Sequence, residues 1–318
     1  MSELKIPDWD DVLKASLRIS SYIHKTPVLS STYINSVCGC RIFFKCENFQ
    51  KVGAFKARGA LNAVLKLSED EAIRGVATHS SGNHAAALAM AASIRNIPAY
   101  IVMPSNAPNI KVKAVKSYGG KITFCEPTLL AREEGLNQVI EHTGAKFIPP
   151  YDHPDIISGQ GTAAKEFLEE VPSLDVMMAP VGGGGLLSGT AISAKSLNPK
   201  IKVIAGEPEN ANDAYLSFNA GKLIPSKNPQ TVADGLKTSL GDLNFYIIMD
   251  KVDSILTVSE SEIISAMRMI WERMKIIIEP SCAVPFAAVL ANPALFEGKN
   301  VGIILSGGNV DLDRLPWQ

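Results

Sequence analysis

Val176-Met177-Met178-Ala179-Pro180-Val181-Gly182-Gly183-Gly184-Gly185-Leu186-Leu187 is the stretch that decides the fold. Residues 175–180 read as a buried strand, an apolar run too short for a helix and closed by proline and glycine. Residues 186–196 read as a helix, and four consecutive glycines, 182–185, stand between the two. Glycine loses more conformational freedom on folding than any other residue, so some close backbone approach has to require this run. In open α/β sheets, ligands bind outside the carboxyl ends of strands, at turns of this kind. The spacing is not the G-x-G-x-x-G dinucleotide fingerprint, because Leu187 stands where its last glycine belongs, nor is it the G-x-x-x-x-G-K-[ST] nucleotide loop. It reads as a backbone nest for a single phosphate group, with a merely flexible loop as the alternative.

Working outward, short β-rich runs alternate with longer helical ones, which argues for a parallel α/β architecture. Toward the N-terminus the pattern predicts a helix over 8–22, a strand over 41–46 and a helix over 56–66. A regular series follows: strands at 74–78, 98–102, 120–124 and 146–148, with helices at 84–95, 108–117 and 128–142 between them. The Pro-rich segment Pro149-Pro150-Tyr151-Asp152-His153-Pro154 breaks that rhythm and is expected to carry the chain to a second sheet. Beyond it the pattern predicts helices at 155–170, 212–220, 260–275 and 282–291 and strands at 201–206 and 300–305, while 221–258 reads as irregular. The expected fold is α/β, with two open, twisted, mostly parallel sheets flanked by helices.

Composition narrows the function. With 318 residues, 46% hydrophobic and 20% charged, the chain is an ordinary globular protein of about two domains, not a disordered, collagenous or coiled-coil one. Its 31 Lys and Arg against 32 Asp and Glu lack the charge excess of a nucleic-acid binder. No apolar stretch approaches the ~20 residues that a membrane-spanning helix needs. The N-terminus has no basic start followed by an apolar run, so a secretory signal is not expected. Cys38, Cys40, Cys46, Cys125 and Cys282 read as reduced thiols of a cytoplasmic protein. The first three have no histidine beside them and fit no zinc spacing.

Two more loops repeat the strand–turn pattern. Ser80-Ser81-Gly82-Asn83-His84 precedes a helix, where backbone N–H groups suit a carboxylate or phosphate; an N-cap with a turn glycine is the alternative. Ser306-Gly307-Gly308-Asn309 closes the last strand. Lys56, in Gly53-Ala54-Phe55-Lys56-Ala57-Arg58-Gly59, follows an apolar residue at a helix start. Burial and the positive helix end would lower its pKa there, and such an amine can form a Schiff base with an aldehyde. A reactive lysine, a single-phosphate nest and a carboxylate loop together describe pyridoxal phosphate and an amino-acid substrate.

These motifs, with Trp271–Lys275 and Leu305–Leu312, resemble those of the fold-type-II pyridoxal-phosphate enzymes of the serine/threonine dehydratase group, serine racemases in particular. The resemblance implies that Lys56 carries the cofactor, packed beside Phe55. It implies that Asn83 faces the ring oxygen, Gly182, Gly183, Gly184 and Gly185 hold the phosphate, and Ser306 faces the pyridine nitrogen. Ser80, Ser81, Gly82, Asn83 and His84, with Arg132, would meet the substrate. Lys56 and Ser81 would act as bases on opposite faces of Cα. Glu207, Ala211 and Asp213 match a divalent-metal site for Mg²⁺, Ca²⁺ or Mn²⁺. Ser31, Thr32, Lys51, Tyr118, Lys275 and Asn309 match an ATP site at a subunit interface, which implies a homodimer. Ala86, Val52 and Tyr151 depart from the pattern, standing where Gln, Thr and Asn are common.

The implied organisation is a large domain of residues 1–65 and 153–318 and a small mobile domain of 75–152. The implied reaction is interconversion of L- and D-serine with elimination of serine to pyruvate and ammonia. The alternatives are a threonine/serine dehydratase, a 3-hydroxyaspartate dehydratase, or a catalytically silent amino-acid or nucleotide sensor. A biosynthetic threonine deaminase is disfavoured because no regulatory domain follows before Gln318.

Overall fold

A computed structural model describes residues 5–317. The strands are β1 Val28–Leu29, β2 Arg41–Cys46, β3 Val76–His79, β4 Ala99–Pro104, β5 Lys121–Cys125, β6 Lys146–Phe147, β7 Val176–Pro180, β8 Lys202–Pro208, β9 Ser254–Val258 and β10 Asn300–Leu305. They form a six-stranded sheet, β1-β2-β10-β7-β8-β9, and a four-stranded sheet, β5-β4-β3-β6. Every pairing is parallel except β1 with β2. The four-stranded sheet is drawn entirely from residues 76–147, and the six-stranded sheet from the segments on either side.

β7 and β10 are buried at every residue, which is why β7 and, after Asn300, β10 read as apolar runs rather than alternating ones. Helices cover the sheets, and the one that begins at Lys56, Lys56–Leu65, is anchored by charge as well as packing. From it Arg58, fully buried, gives two hydrogen bonds to the Glu47 carboxylate, at 2.7 and 2.8 Å, and two to Glu166, both at 2.8 Å. Lys45 reaches Glu166 at 2.9 Å, and Thr26 donates to Glu47 at 2.6 Å. Two positive and two negative groups thus neutralise one another where isolated charges would be very costly.

The region 221–258 corrects the sequence reading. It contains a helix, Asp242–Lys251, and strand β9. The helix follows a polar, Gly/Ser/Pro-bearing stretch that hides its start, and β9 is a short edge strand buried at only two of its five residues. Short helices at Thr32–Cys38 and Glu69–Arg74 were also unexpected, and the first helix is shorter than expected, Trp9–Ile19. Among the described residues no helix is long and apolar enough to cross a membrane. All five cysteines are free.

Candidate active site

The loop before Lys56 is zipped onto the end of β10. Phe55 donates its N–H to the Ser306 carbonyl at 2.9 Å, Gly308 donates to the Gly53 carbonyl at 2.9 Å, and Ala54 bridges Gly307. This backbone pairing brings Lys56 and Ser306 together although they lie far apart in sequence. Lys56 Nζ donates to the Pro150 carbonyl at 2.6 Å and stands 5.1 Å from the centre of the Phe55 ring. Protein surrounds the amine while part of the side chain stays accessible. Burial lowers its pKa to about 8, against the opposing pull of the Glu279 charge. The neutral amine, the form a nucleophile or base requires, is therefore far more available near physiological pH than in a free lysine, although the charged form still predominates.

The glycine loop lies beside it. A Cβ on Gly183 would sit 2.3 Å from the Tyr151 ring. Gly184 has φ of +94°, and a Cβ there would stand 2.7 Å from Asn244 Cβ. The close approach inferred from the sequence is therefore an aromatic ring on one side and the buried face of the helix Asp242–Lys251 on the other. Among the described residues, the N–H groups of Gly182–Gly185 donate to no other protein group. A cluster of unpaired donors at a helix start matches an anion.

Across from it, Ser80, Ser81 and Gly82 follow β3, and Asn83 opens the helix Asn83–Ile94. All four are half-exposed, and Gly82 N–H turns back to Ser80 Oγ at 3.3 Å. Asn83 Nδ2 donates to both Glu279 carboxylate oxygens, at 2.9 and 3.2 Å, while its Oδ1 accepts from Asn309 Nδ2 at 3.0 Å. Burial, together with the Asp234 charge, raises the Glu279 pKa to about 7. Glu279 is the residue the sequence reading missed; the signal available was a lone carboxylate closing the apolar run Ile276-Ile277-Ile278.

His84 is buried, with Nε2 3.1 Å from the Ile148 carbonyl, and burial drives its pKa down to about 3, so the ring stays neutral. Arg132 lies on the helix Leu129–Thr143 with Nε toward the Thr128 carbonyl, and its charge is felt at Tyr151 and His79. Ser306 is buried, its Oγ 3.3 Å from Cys282 Sγ.

Glu207 at the end of β8 accepts from the N–H groups of Ala214 and Tyr215, at 3.0 and 2.7 Å. Asp213 Oδ2 accepts from Leu240 N–H at 2.8 Å, whereas its Oδ1 is buried without a partner. Burial raises both carboxyls, Asp213 to about 6. An orphaned oxygen beside a second buried carboxylate, with Ala211 buried between them in sequence, fits a hard cation with oxygen ligands. Of the residues matched to ATP, Tyr118 and Asn309 line one cavity of 310 Å³ with Gly53, Gly82, Asn83 and Ala86. Ser31 caps the helix Thr32–Cys38, Lys51 lies in the turn Lys51–Gly53, and Lys275 ends the helix Glu260–Met274; none of these, nor Thr32, lines that cavity.

A two-sheet α/β fold with a reactive lysine amine and a run of unpaired backbone donors suits a cofactor enzyme, and a family model agrees. Residues 19–307 match the family described as pyridoxal-phosphate dependent enzyme, and the chain belongs to that family. It is 52% identical over 313 residues to the beta-hydroxyaspartate dehydratase of Paracoccus denitrificans, covering 98% of this chain and 99% of that one. It is also 52% identical over 312 residues to the serine racemase of Arabidopsis thaliana, covering 96% and 94%. The crystal structure of serine racemase from Dictyostelium discoideum superposes with a TM-score of 0.93 at 50% identity, covering 97% of this chain and all of that one.

Proposed function

We propose that this enzyme interconverts L- and D-serine and also eliminates serine to pyruvate and ammonia. The observation that carries the reading is the Lys56 amine, buried, with its pKa lowered to about 8, and pinned beside Ser306 across from the Ser80–Asn83 loop. Bound pyridoxal phosphate supplies an electron-withdrawing ring that acidifies the substrate Cα–H. Lys56 would anchor the cofactor, with Phe55 packed against it, and then serve as base on one face of Cα. Ser81 would deliver or remove the proton on the other face. The N–H groups at the start of the Asn83 helix, with Ser80 and Gly82, would hold the substrate carboxylate, and Arg132 would approach from the small sheet. Gly182–Gly185 would take the phosphate, and the neutral Ser306 hydroxyl the ring nitrogen. Asn83, held by Glu279 and Asn309, would orient the ring.

The reading extends to a large unit of residues 1–65 and 153–318, on which the smaller 75–152 unit closes. It also includes a homodimer in the cytoplasm, Mg²⁺ or a similar cation held by Glu207, Ala211 and Asp213, and ATP as an activator. The cation would tie the end of β8 to the helix Asp213–Ala220 by neutralising two buried carboxylates.

A second reading, elimination of 3-hydroxyaspartate, is favoured by the Paracoccus relative and by the Arg132 charge felt at Tyr151, where a second substrate carboxylate could be met. Incubation with pyridoxal phosphate and either L-serine or 3-hydroxyaspartate tests both. The first reading expects D-serine and pyruvate from L-serine; oxaloacetate from 3-hydroxyaspartate without any D-serine from L-serine would replace it with the second.

A further inference from the structure

We propose that Asn244 is a positioning residue for the cofactor phosphate, acting by holding the Gly183 carbonyl; this rests on the reading of Gly182–Gly185 as the phosphate nest. Asn244 lies in the first turn of the helix Asp242–Lys251 and is completely buried. Its Nδ2 stands 2.9 Å from the Gly183 carbonyl, 3.0 Å from Asp152 Oδ1 and 3.3 Å from the Tyr151 carbonyl. All three neighbours are acceptors, so the orientation of the amide is forced: reversing it would press its oxygen against three others. In this orientation Oδ1 is buried without a partner. Burying an unpaired carbonyl oxygen is costly, so the donor side is what gives this amide its value here.

The Gly183 carbonyl also accepts from Gly241 N–H at 3.2 Å, and among the described residues Asn244 is the one side chain that donates to it. A trans peptide is planar, with its C=O and N–H on opposite sides. Holding the Gly183 oxygen toward Asn244 therefore turns the Gly184 N–H the other way, out of the Asn244 helix and into the nest. The same residue braces the loop between β6 and the helix Pro154–Glu170. Asp152 accepts from Asn244 N–H at 3.1 Å as well as from Nδ2. That ties down the segment whose Pro150 carbonyl receives Lys56 Nζ. Asn244 makes no bond to Pro150 itself, so its effect on ligand binding is placed at the phosphate donor.

The test compares equilibrium binding of pyridoxal phosphate and of pyridoxal, which lacks the phosphate, to the apoprotein, for wild type, Asn244→Ala and Asn244→Leu. The leucine side chain has the branching and the number of non-hydrogen atoms of asparagine, is somewhat bulkier, and removes the donor without leaving a cavity, so it carries the test should the alanine variant not fold; thermal unfolding of the apoproteins checks this. Wild type should prefer pyridoxal phosphate strongly, and the variants should lose about tenfold of that preference, the value of one lost hydrogen bond to a charged ligand, with pyridoxal binding little changed. An undiminished preference in the folded variants would overturn the role of Asn244. Equal losses for both ligands would overturn it too, leaving Asn244 a packing residue. A wild-type protein that binds both ligands equally would overturn the phosphate reading of the glycine loop, and this proposal with it.

Discussion

Two loops of this molecule share one design and differ in material. Gly182–Gly185 follows β7 and Ser80–Asn83 follows β3; each leaves the carboxyl end of a parallel strand and opens a helix. The glycine loop is buried throughout, on a strand buried throughout, and presents only backbone. The serine loop is half-exposed and presents hydroxyls and an amide, in a sheet whose edge strand β5 has no buried residue. A group that stays bound can be gripped by core, where every donor is fixed. A substrate that comes and goes has to be met by surface, where local opening is cheap. On the proposed function, the difference separates the half of the site that holds from the half that handles.

The largest effect expected from breaking this division is at Lys56, on the holding side. Lys56→Ala should lose the absorbance band of lysine-bound cofactor and reduce turnover to below about one-thousandth of wild type. Turnover near the wild-type rate would remove Lys56 from the chemistry. On the handling side the loss should be selective. Ser81→Ala removes one oxygen from a half-exposed loop, so pyruvate formation from L-serine should persist. D-serine formation and consumption should both fall by roughly a hundredfold or more. Chiral analysis of serine alongside pyruvate decides it, and D-serine made at an undiminished rate would assign the second face to another group or to water.

The smallest effect concerns the joint between the halves. Glu279 accepts from Asn83 on one side, and its own N–H donates to the Gly307 carbonyl on the other. Its pKa is raised from 4.5 to about 7 in the folded protein, so the folded state binds the extra proton between those values. The stability this group contributes is then complete below about pH 4.5 and is lost as pH rises through 7. Glu279→Gln, measured as apoprotein unfolding midpoint against pH, should flatten that decline by roughly 2–5 °C. An unchanged slope would assign the titration elsewhere.

Much of this was legible in the chain. Four glycines before Leu186 announced a close approach, Lys56 could be found because it follows an apolar residue at a helix start, and the serine loop because it stands at a strand–helix junction. What could not be read was the partner at each approach. Nothing local says that Gly183 meets the Tyr151 ring or that Gly184 meets Asn244, since both contacts are made only by folding distant segments together. Asn244 was hidden with its helix, behind a polar stretch that looks like loop. Glu279 was hidden because a single carboxylate at the edge of an apolar run reads as a helix start, and its burial depends on Asn83 arriving from the other sheet.

The buried ionic group around Arg58 has a consequence for how this protein can change over generations. Arg58, Lys45 and Glu47 have no exposed side-chain surface, and Glu166 has little. Removing any one leaves a lone charge inside, a loss of about 3–5 kcal/mol, whereas exchanging all of them for apolar residues of matching shape need not weaken the fold. The favourable destination is therefore separated from the present sequence by costly single steps. A lineage that carries this quartet is held to it by the route out, and the helix that begins at Lys56 inherits that fixity.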